Sequence, residues 1–381
     1  MRVSRFFFGA FIGLVFLLGG AGLPGGLAAR AVAGEPDITA IVAGAEQGDA
    51  AQAYELGRRY FRGEGVAQDP AEAVRWWSRA AAQGQVDAMR NLGVSYHHGE
   101  GVEKDLGEAV KWYSRAADLD DAKAQFNLGV MYASGDGFGQ DPPEAVKWFT
   151  LAAGHGDVDA QRTLGGCFAT GDGVERDTQM ALKWWKLAAA QGSAEAQFDL
   201  GVTFDRGAGV VQDYKEAVYW YSLAAAQGYS KAQVNLGMHY VVGQGVATDY
   251  REAARWYTMA AKHGDAKGQL NLAGLFFNGQ GVECNYLAAY VWSCLAASQE
   301  EPNAGLNREA AAAHLSKMEL AAAQDLAVRT QAWIAQPEPK GGEAPVLLAG
   351  VAKVKEKPAK AAAKKPIKKG KKGKKIKKGK K

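Results

Sequence analysis

Cysteine is scarce in this chain of 381 residues, which limits the part that disulfide bonds can play. Only Cys167, Cys284 and Cys294 are present, and an odd number leaves at least one thiol free. Cys284 lies just before a predicted helix and Cys294 follows within it, so about 15 Å of helix rise separates them, too far for a disulfide. We therefore expect packing, rather than disulfide bonds, to hold the fold together.

Motifs that carry catalysis or bind metals are also missing. There is no Gly-x-Ser-x-Gly nucleophile turn and no His-Glu-x-x-His zinc motif. Six histidines are present, but the adjacent His97 and His98 would point about 100° apart on a helix and would not readily chelate one metal. The sequence thus predicts no catalytic residue, no cofactor and no metal site.

The apolar stretch at the N-terminus is too short for an ordinary membrane span. Residues 6–18 are apolar or small, follow two arginines, and fall short of the roughly 20 residues that a spanning helix needs. Ala31-Val32-Ala33 then offers a small-x-small cleavage site, which is typical of a signal peptide. We predict cleavage after Ala33 and a periplasmic or secreted bacterial protein; an uncleaved inner-membrane anchor is the alternative.

Acidic residues are nearly absent from the C-terminal tail. Residues 353–381 hold sixteen lysines and a single acid, Glu356, a net charge of +15 in a chain of net +4. Since residues 1–33 carry +3, residues 34–352 carry −14. So many like charges without an aromatic residue predict a disordered tail. Its candidate polyanion-binding residues are Lys364, Lys365, Lys368, Lys369, Lys371, Lys372, Lys374, Lys375, Lys377 and Lys378.

What the chain has in abundance is one pattern that repeats every 36 residues without an insertion. Leucine recurs at Leu56, Leu92, Leu128, Leu164, Leu200, Leu236 and Leu272. Tryptophan recurs at Trp76, Trp112, Trp148, Trp184, Trp220, Trp256 and Trp292. A fixed period of this length, held over seven units, predicts a solenoid of stacked supersecondary units.

Each unit reads as two helices joined by a glycine turn. Residues spaced as in Ala124, Leu128 and Tyr132 predict the first helix, and Gly-x-Gly ends it. The segment Asp69-Pro70-Ala71-Glu72 is interpreted as a capping box that opens the second helix. The tryptophan column is expected to be core, with the aromatic residue that follows it packing between units. Ser316 and Glu319 predict another capping box in the closing cap.

These residues carry a family resemblance. The pattern Ala-x-x-x-Leu-Gly-x-x-Tyr-x-x-Gly-x-Gly-Val, followed by Asp-x-x-Glu-Ala-x-x-Trp, resembles the Sel1-like repeat family, a relative of the tetratricopeptide repeat, over about residues 48–299. The departures are small: Gln52 and Gly268 stand where alanine is usual. The resemblance implies a right-handed α-superhelix that acts as an adaptor for protein complexes, in bacteria often in the cell envelope. One cysteine-rich branch is linked to β-lactam binding, but no cysteine column repeats here.

The expected architecture is all-α, a right-handed α-solenoid of about seven 36-residue helix-turn-helix repeats. Its segments are a signal peptide (1–33), a capping half-repeat (34–47), seven repeats (48–299), capping helices (300–334), a Pro/Gly-rich linker (335–352) and a disordered Lys-rich tail (353–381). We expect a monomer.

Three positions around each repeated leucine are candidates for contact with a partner. The residue just before the leucine is often asparagine, which either lines the concave groove or hydrogen-bonds the backbone of the adjacent helix. The residues two before and two after it vary between repeats, as expected of a partner-specific surface. The candidates are Tyr54, Arg58, Arg90, Asn91, Phe126, Asn127, Arg162, Phe198, Asp199, Asn235, Met238 and Asn271.

Three functional hypotheses follow. The first is a non-enzymatic envelope scaffold that binds a protein or peptide on its concave face, with the tail as an electrostatic tether. The second is a protein that binds an anionic polymer or membrane surface through the tail, with the repeats as a spacer. Nucleic acid is disfavoured as the polymer, because the tail has no aromatic residue to stack on bases. A β-lactam-interacting hydrolase is a distant third.

Overall fold

The computed structural model describes residues 38–336, and this part of the chain is helical, with seventeen α-helices and no strand. The predictions of a signal peptide, and of a basic tail with its ten candidate lysines, lie outside the described residues, as does nearly all of the linker. None of the described helices is long and apolar enough to span a bilayer.

The described residues divide into two compact units. The first consists of residues 38–88 and 100–102 and holds α1 (Ile38–Glu46), α2 (Ala50–Arg62), α3 (Pro70–Ala82) and the beginning of α4 (Val86–His98). The second consists of residues 89–99 and 103–336 and holds the rest of α4. Its other helices are α5 (Leu106–Ala117), α6 (Ala122–Ser134), α7 (Pro142–Gly154), α8 (Val158–Thr170), α9 (Thr178–Ala190), α10 (Ala194–Arg206), α11 (Tyr214–Ala226), α12 (Ser230–Val242), α13 (Tyr250–Lys262), α14 (Ala266–Asn278), α15 (Tyr286–Ala297), α16 (Ala304–Ala312) and α17 (Lys317–Ile334).

Helix pairs are the building blocks of both units. In the first unit α1 packs on α2 and α2 on α3; in the second, each helix from α5 to α15 packs on the next along the chain. Helix α17 lies against α15. Consecutive repeats that pack in this way within each unit are characteristic of an α-solenoid, so the predicted fold class is confirmed.

The second helix of each repeat begins at a side-chain cap, but the predicted capping box is wrong. The Asp69 carboxylate accepts hydrogen bonds from the backbone N–H groups of Ala71 and Glu72. The backbone N–H of Asp69, which Glu72 would need, instead donates to the Tyr60 carbonyl at 2.8 Å. Glu72 therefore pairs with Arg75 one turn along. A true capping box does form at Ser316 and Glu319, as predicted.

The Gly-x-Gly turns need glycine for space as well as for backbone conformation. Gly173 has φ +70°, in the left-handed region that side chains disfavour. A Cβ atom there would also lie 2.3 Å from the Pro142 carbonyl oxygen of the preceding repeat. The turn therefore allows two successive repeats of the second unit to approach closely.

In repeats one to six the buried aromatic residue of the second helix is the one after the tryptophan column, so the prediction that these tryptophans are core is wrong, whereas the predicted burial of Ala73, Ala80 and Ala81 is confirmed. Trp77 is 3% exposed, whereas Trp76 is half-buried, and the same holds for Trp185 and Trp184. The reason is packing against the first helix: a Cβ atom on Gly57 would lie 2.6 Å from the Trp77 ring. Ala73, Trp77 and Ala80 thus share the inner face, with Trp76 turned about 100° away. Trp292 alone of the seven is fully buried.

Candidate protein-binding face

The candidate residues lie on the first helices of the repeats, around the buried leucines. We call the positions two before and two after each leucine the first-helix face. Most of these side chains are half-buried; Val234 is buried and Met238 is exposed. The face is therefore partly accessible, but several of its residues already have partners within the protein.

In the first unit, Arg58 is held by acidic neighbours. Its guanidinium lies 2.7 Å from Glu55 and 3.1 Å from Glu64. Hydrogen bonding to Arg58 holds the pKa of Glu55 below its usual range. Tyr54 contributes its backbone, since its carbonyl accepts a 3.3 Å hydrogen bond from the Trp77 indole. A ligand on this helix would compete with an existing ion pair.

In the second unit, two arginines of the face link successive repeats. Arg90 on α4 forms an ion pair with Asp121, the residue that caps α6. Arg162 on α8 lies 3.3 Å from Asp199 on α10. Burial raises the pKa of Asp199, and the charge of Arg162 opposes that shift. Both arginines thus have a structural role between repeats.

Two members of the asparagine column lie beside tyrosines of the preceding helix. Interaction with the Asn127 amide lowers the pKa of the Tyr113 hydroxyl, and Asn235 acts in the same way on Tyr221. Burial raises the pKa of both tyrosines. Asn91 and Asn271 are half-buried at the equivalent positions. Asn127 and Asn235 thus lie next to internal tyrosines, and the predicted hydrogen bond to a neighbouring backbone stays a prediction.

The apolar candidates divide into packed and exposed side chains. Phe126 packs on Phe149 with ring centroids 5.6 Å apart, and Phe198 on Tyr221 at 5.8 Å. Met238 is 48% exposed, and Val242, one turn further along α12, is 57% exposed. Met238 belongs to the first-helix face and Val242 lies one turn beyond it, so the two exposed side chains form an accessible apolar stripe at the edge of this face.

The sequence interpretation missed a buried polar network next to this face. His239 is 3% exposed, and its Nδ1 lies 3.0 Å from the Gln244 carbonyl oxygen, to which it donates. Its Nε2 lies 3.3 Å from Asp205, whose other oxygen accepts from the Tyr221 hydroxyl at 3.3 Å. His239 occupies a position three residues after the leucine, and its equivalents are also buried: Arg59, Ser95, Met131, Cys167, Thr203 and Leu275.

Two further features of the described residues concern metal binding and thiol reactivity. Within residues 38–336 no group of histidine, cysteine and acidic side chains is arranged to hold a metal ion. All three cysteines are free thiols, and burial raises the pKa of Cys167 to about 11. A thiol with so high a pKa is a poor nucleophile at neutral pH.

The fold and this surface define a class, the helical-repeat solenoids that present partly exposed helix faces along a regular scaffold. A family model described as the Sel1 repeat matches residues 53–85, 86–121, 122–157, 158–193, 194–229, 230–265 and 266–300. The chain belongs to the Sel1 repeat family. Proteins of this family generally mediate protein–protein interactions, on a scaffold that is typically non-enzymatic.

Solved structures with the same fold include a Sel1 repeat protein from Oxalobacter formigenes. It is 36% identical, with a TM-score of 0.61 over 71% of this chain and 78% of its own. A protective antigen of uropathogenic Escherichia coli with an SLR fold is 26% identical, with a TM-score of 0.45 over 80% of this chain and 84% of its own. None of the curated proteins matches this chain.

Proposed function

We propose that this protein is an exported, non-enzymatic scaffold that binds a protein or peptide partner through the first-helix face of its repeats. The observation that supports the proposal best is the exposed pair Met238 and Val242 on α12. Solvent-exposed apolar side chains that share one helix stripe are typical of a surface that a partner covers. The regular scaffold around them holds this surface in a defined geometry.

The proposal is tested by affinity capture from an envelope extract. The baits are the chain from residue 34 to 381 and its Met238→Ser/Val242→Ser variant, washed at about 0.5 M salt, where screening falls below roughly 5 Å. We expect a discrete protein to be retained by the parent chain and lost from the variant. The matched control is Leu151→Ser/Leu187→Ser, which changes two exposed leucines on second helices. Equal retention by both variants would exclude the first-helix face.

The tail supports a second candidate, binding to an anionic polymer or membrane surface. Its basis is the charge of residues 353–381, sixteen lysines against one acid. Lysines near an anionic membrane contribute about 1 kcal/mol each, so several acting together suffice for attachment. A chain ending at Ala335 should then lose binding to anionic vesicles, and binding of the full chain should fall steeply with salt. Salt-insensitive vesicle binding would contradict this role.

Export is part of the same proposal. The predicted signal peptide places the mature N-terminus at Gly34. Mass spectrometry of the protein purified from a bacterial host should therefore find a chain that begins at this residue, in the periplasm or the medium. A chain retained in the inner membrane with residues 1–33 intact would favour the anchored alternative. Purified protein is expected not to turn over a β-lactam reporter.

A further inference from the structure

The seventh repeat lacks a ring that the other six have. The aromatic residue after the tryptophan column packs on the glycine that follows the leucine in repeats one to six. These pairs are Gly57 and Trp77, Gly93 and Tyr113, Gly129 and Phe149, Gly165 and Trp185, Gly201 and Tyr221, and Gly237 and Tyr257. The seventh repeat instead has Ala273 and Ser293.

A cavity of about 120 Å³ adjoins the place where the missing ring would be. Ala273, Ser293 and Phe277 line it. They stand at the positions that hold Gly57, Trp77 and Phe61 in the first repeat, where the rings of Phe61 and Trp77 lie 5.4 Å apart. Phe277 thus gives the cavity the aromatic wall that the ring contacts in the first repeat, but in the seventh repeat the ring itself is absent.

One wall of the cavity carries an unpartnered hydroxyl. Ser293 is fully buried, and its Oγ has no hydrogen-bond partner. A buried hydroxyl without a partner costs free energy, so a ligand that bonds to it is favoured. Ala273, Phe277, Ala289 and Ala310 supply the apolar part of the lining, so a ring gains contacts there that water does not.

The lining of the cavity contains a second polar side chain. Asn307 of α16 also lines the cavity, fourteen residues after Ser293. The same sequence spacing separates Tyr113 from Asn127 and Tyr221 from Asn235, two pairs in which the amide lowers the pKa of the phenol hydroxyl. Helix α16 begins at Ala304, two residues later than the repeat period places it, so Asn307 is a candidate polar partner because it lines the cavity and not because of its repeat position.

The cavity opens on the first-helix face. Gly274 stands two residues after Leu272, and a Cβ atom built on it would have no neighbour within 4 Å. Asn278 and Ala310, on the two sides of the opening, are exposed. A ring can therefore enter from solvent between α14 and α16.

We propose that the seventh repeat is a socket for one phenol ring, which replaces the aromatic residue missing from its own sequence. An apolar cavity of about 150 Å³ in another protein holds a benzene molecule, so this one has room for a single ring and little more. A tyrosine side chain of a partner and a free phenol share this chemistry. The tyrosine reading rests on the proposed function, because it requires a partner on the first-helix face.

The test uses the chain from residue 34 to 381 and two probes, p-cresol and toluene, which differ by the hydroxyl. In ligand-observed NMR titrations we expect p-cresol to bind with a dissociation constant on the order of 1 mM and toluene about tenfold more weakly, since one hydrogen bond separates them. Asn307→Ala should reduce this difference. Absence of saturable p-cresol binding, or equal binding of the two probes, would overturn the proposal.

Two variants place the binding in the cavity. Gly274→Val puts into the opening the residue found at Val94, Val130 and Val202, and should abolish p-cresol binding. Its control, Gly166→Val, makes the same change at an equivalent open position beside the filled site of Trp185, and should leave binding unchanged. Ala273→Gly/Ser293→Tyr should raise the thermal midpoint and exclude p-cresol, which keeps the test decisive if Gly274→Val fails to fold. Unchanged p-cresol binding in a folded Gly274→Val variant or a folded Ala273→Gly/Ser293→Tyr variant contradicts the socket.

The source of the ring is decided by the capture experiment. If Gly274→Val loses both p-cresol and the captured partner, the ring is a partner's tyrosine. If it loses p-cresol binding alone, the socket takes a free phenol. The scaffold function is then tested separately, by the Met238→Ser/Val242→Ser variant. Failure of p-cresol binding with intact capture rejects the socket and leaves the proposed function in place.

Discussion

At the scale of single residues, two repeats have a non-glycine residue in the left-handed backbone conformation at a position where the other repeats have glycine. Asp120 has φ +62° and Glu300 has φ +59°, at the positions of Gly84 and its equivalents. A residue with a Cβ atom in this region costs about 1 kcal/mol or more relative to glycine. The side chain of Asp120 is 83% exposed, and its carboxylate lies 3.9 Å from the His155 imidazole, a weak contact in solvent.

We expect Asp120→Gly and Glu300→Gly each to increase the free energy of unfolding by about 0.5–1 kcal/mol, the relief of strain being partly offset by a more flexible unfolded chain. Urea denaturation followed by circular dichroism measures the change. Asp118→Gly is the control, because Asp118 has right-handed φ and its replacement should destabilise the protein. A decrease in both test variants would contradict the strain argument.

His97 gives a prediction about pH. Burial lowers its pKa from the ordinary value of 6.5, and the neighbouring His98 adds to the effect, while Asp136 opposes it. The folded state therefore keeps His97 neutral at a pH where the unfolded chain takes up a proton. Its contribution is fully present above about pH 6.5 and is lost as the pH falls towards the lowered folded pKa.

His97→Ala, which copies Ala133 and Ala169 at the same repeat position, should therefore flatten the loss of stability between pH 7.5 and pH 5. The urea midpoint of both proteins, measured across this range, tests the prediction. Parallel pH profiles would show that the burial of His97 has no such effect.

At the scale of the helix, neighbouring tryptophans should differ sharply in importance. Trp185 is 7% exposed and donates a 3.1 Å hydrogen bond to the Arg162 carbonyl, whereas Trp184 is half-buried on the same turn. We expect Trp185→Ala to cost about 3–5 kcal/mol, as for a buried aromatic residue, and Trp184→Ala clearly less. Thermal and urea unfolding of the two variants provide the comparison, each serving as the control for the other.

The repeat period alone does not distinguish these two columns. Tryptophan recurs at one position, and the next position holds tryptophan, tyrosine or phenylalanine in six of the seven repeats. Helical spacing beside alanine predicts a core role for the tryptophans, and the residue beside them has nearly the same spacing. Burial is decided instead by the glycine of the first helix, against which the second ring lies. A helix is amphipathic along a stripe, and a shift by one residue rotates a side chain about 100°.

Variation between repeats is also an incomplete guide to a binding surface. The positions two before and two after the leucine vary and are partly accessible, but the position three after it varies as much and is buried. Arg59, His239 and Leu275 occupy it with different local partners. Variation therefore marks positions where repeats pack differently as well as positions open to a ligand.

At the scale of the whole molecule, the C-terminal cap covers the last repeat. Tyr290, Val291 and Trp292 are buried in the core cluster to which α16 and α17 contribute Ala311, Ala323 and Ala327. At the position equivalent to Val291, Tyr219 is 44% exposed. A repeat array needs such an end, because its terminal unit otherwise leaves an apolar face in water.

A chain that ends at Glu300 should therefore aggregate or lose stability, whereas one that ends at Gln336 should behave like the full chain. Light scattering after size-exclusion chromatography, together with thermal unfolding, measures both. A soluble, monomeric and equally stable product of the shorter truncation would show that the cap does not protect the last repeat.

Sequence by itself determined the elements of this protein: the period, the glycine turns, the aspartate caps and the apolar spacing set two helices per repeat and predicted the family. These signals are local, since each depends on residues within one or two turns of a helix. Only the tertiary structure decided which side chains lie against each other. It shows which aromatic column is buried and that Asn127 and Asn235 lie beside tyrosine hydroxyls. It also shows that Arg90 and Arg162 link successive repeats and that a cavity adjoins Ser293. Those features depend on the packing of helices that are distant in sequence, and packing is fixed by shape and space rather than by periodicity.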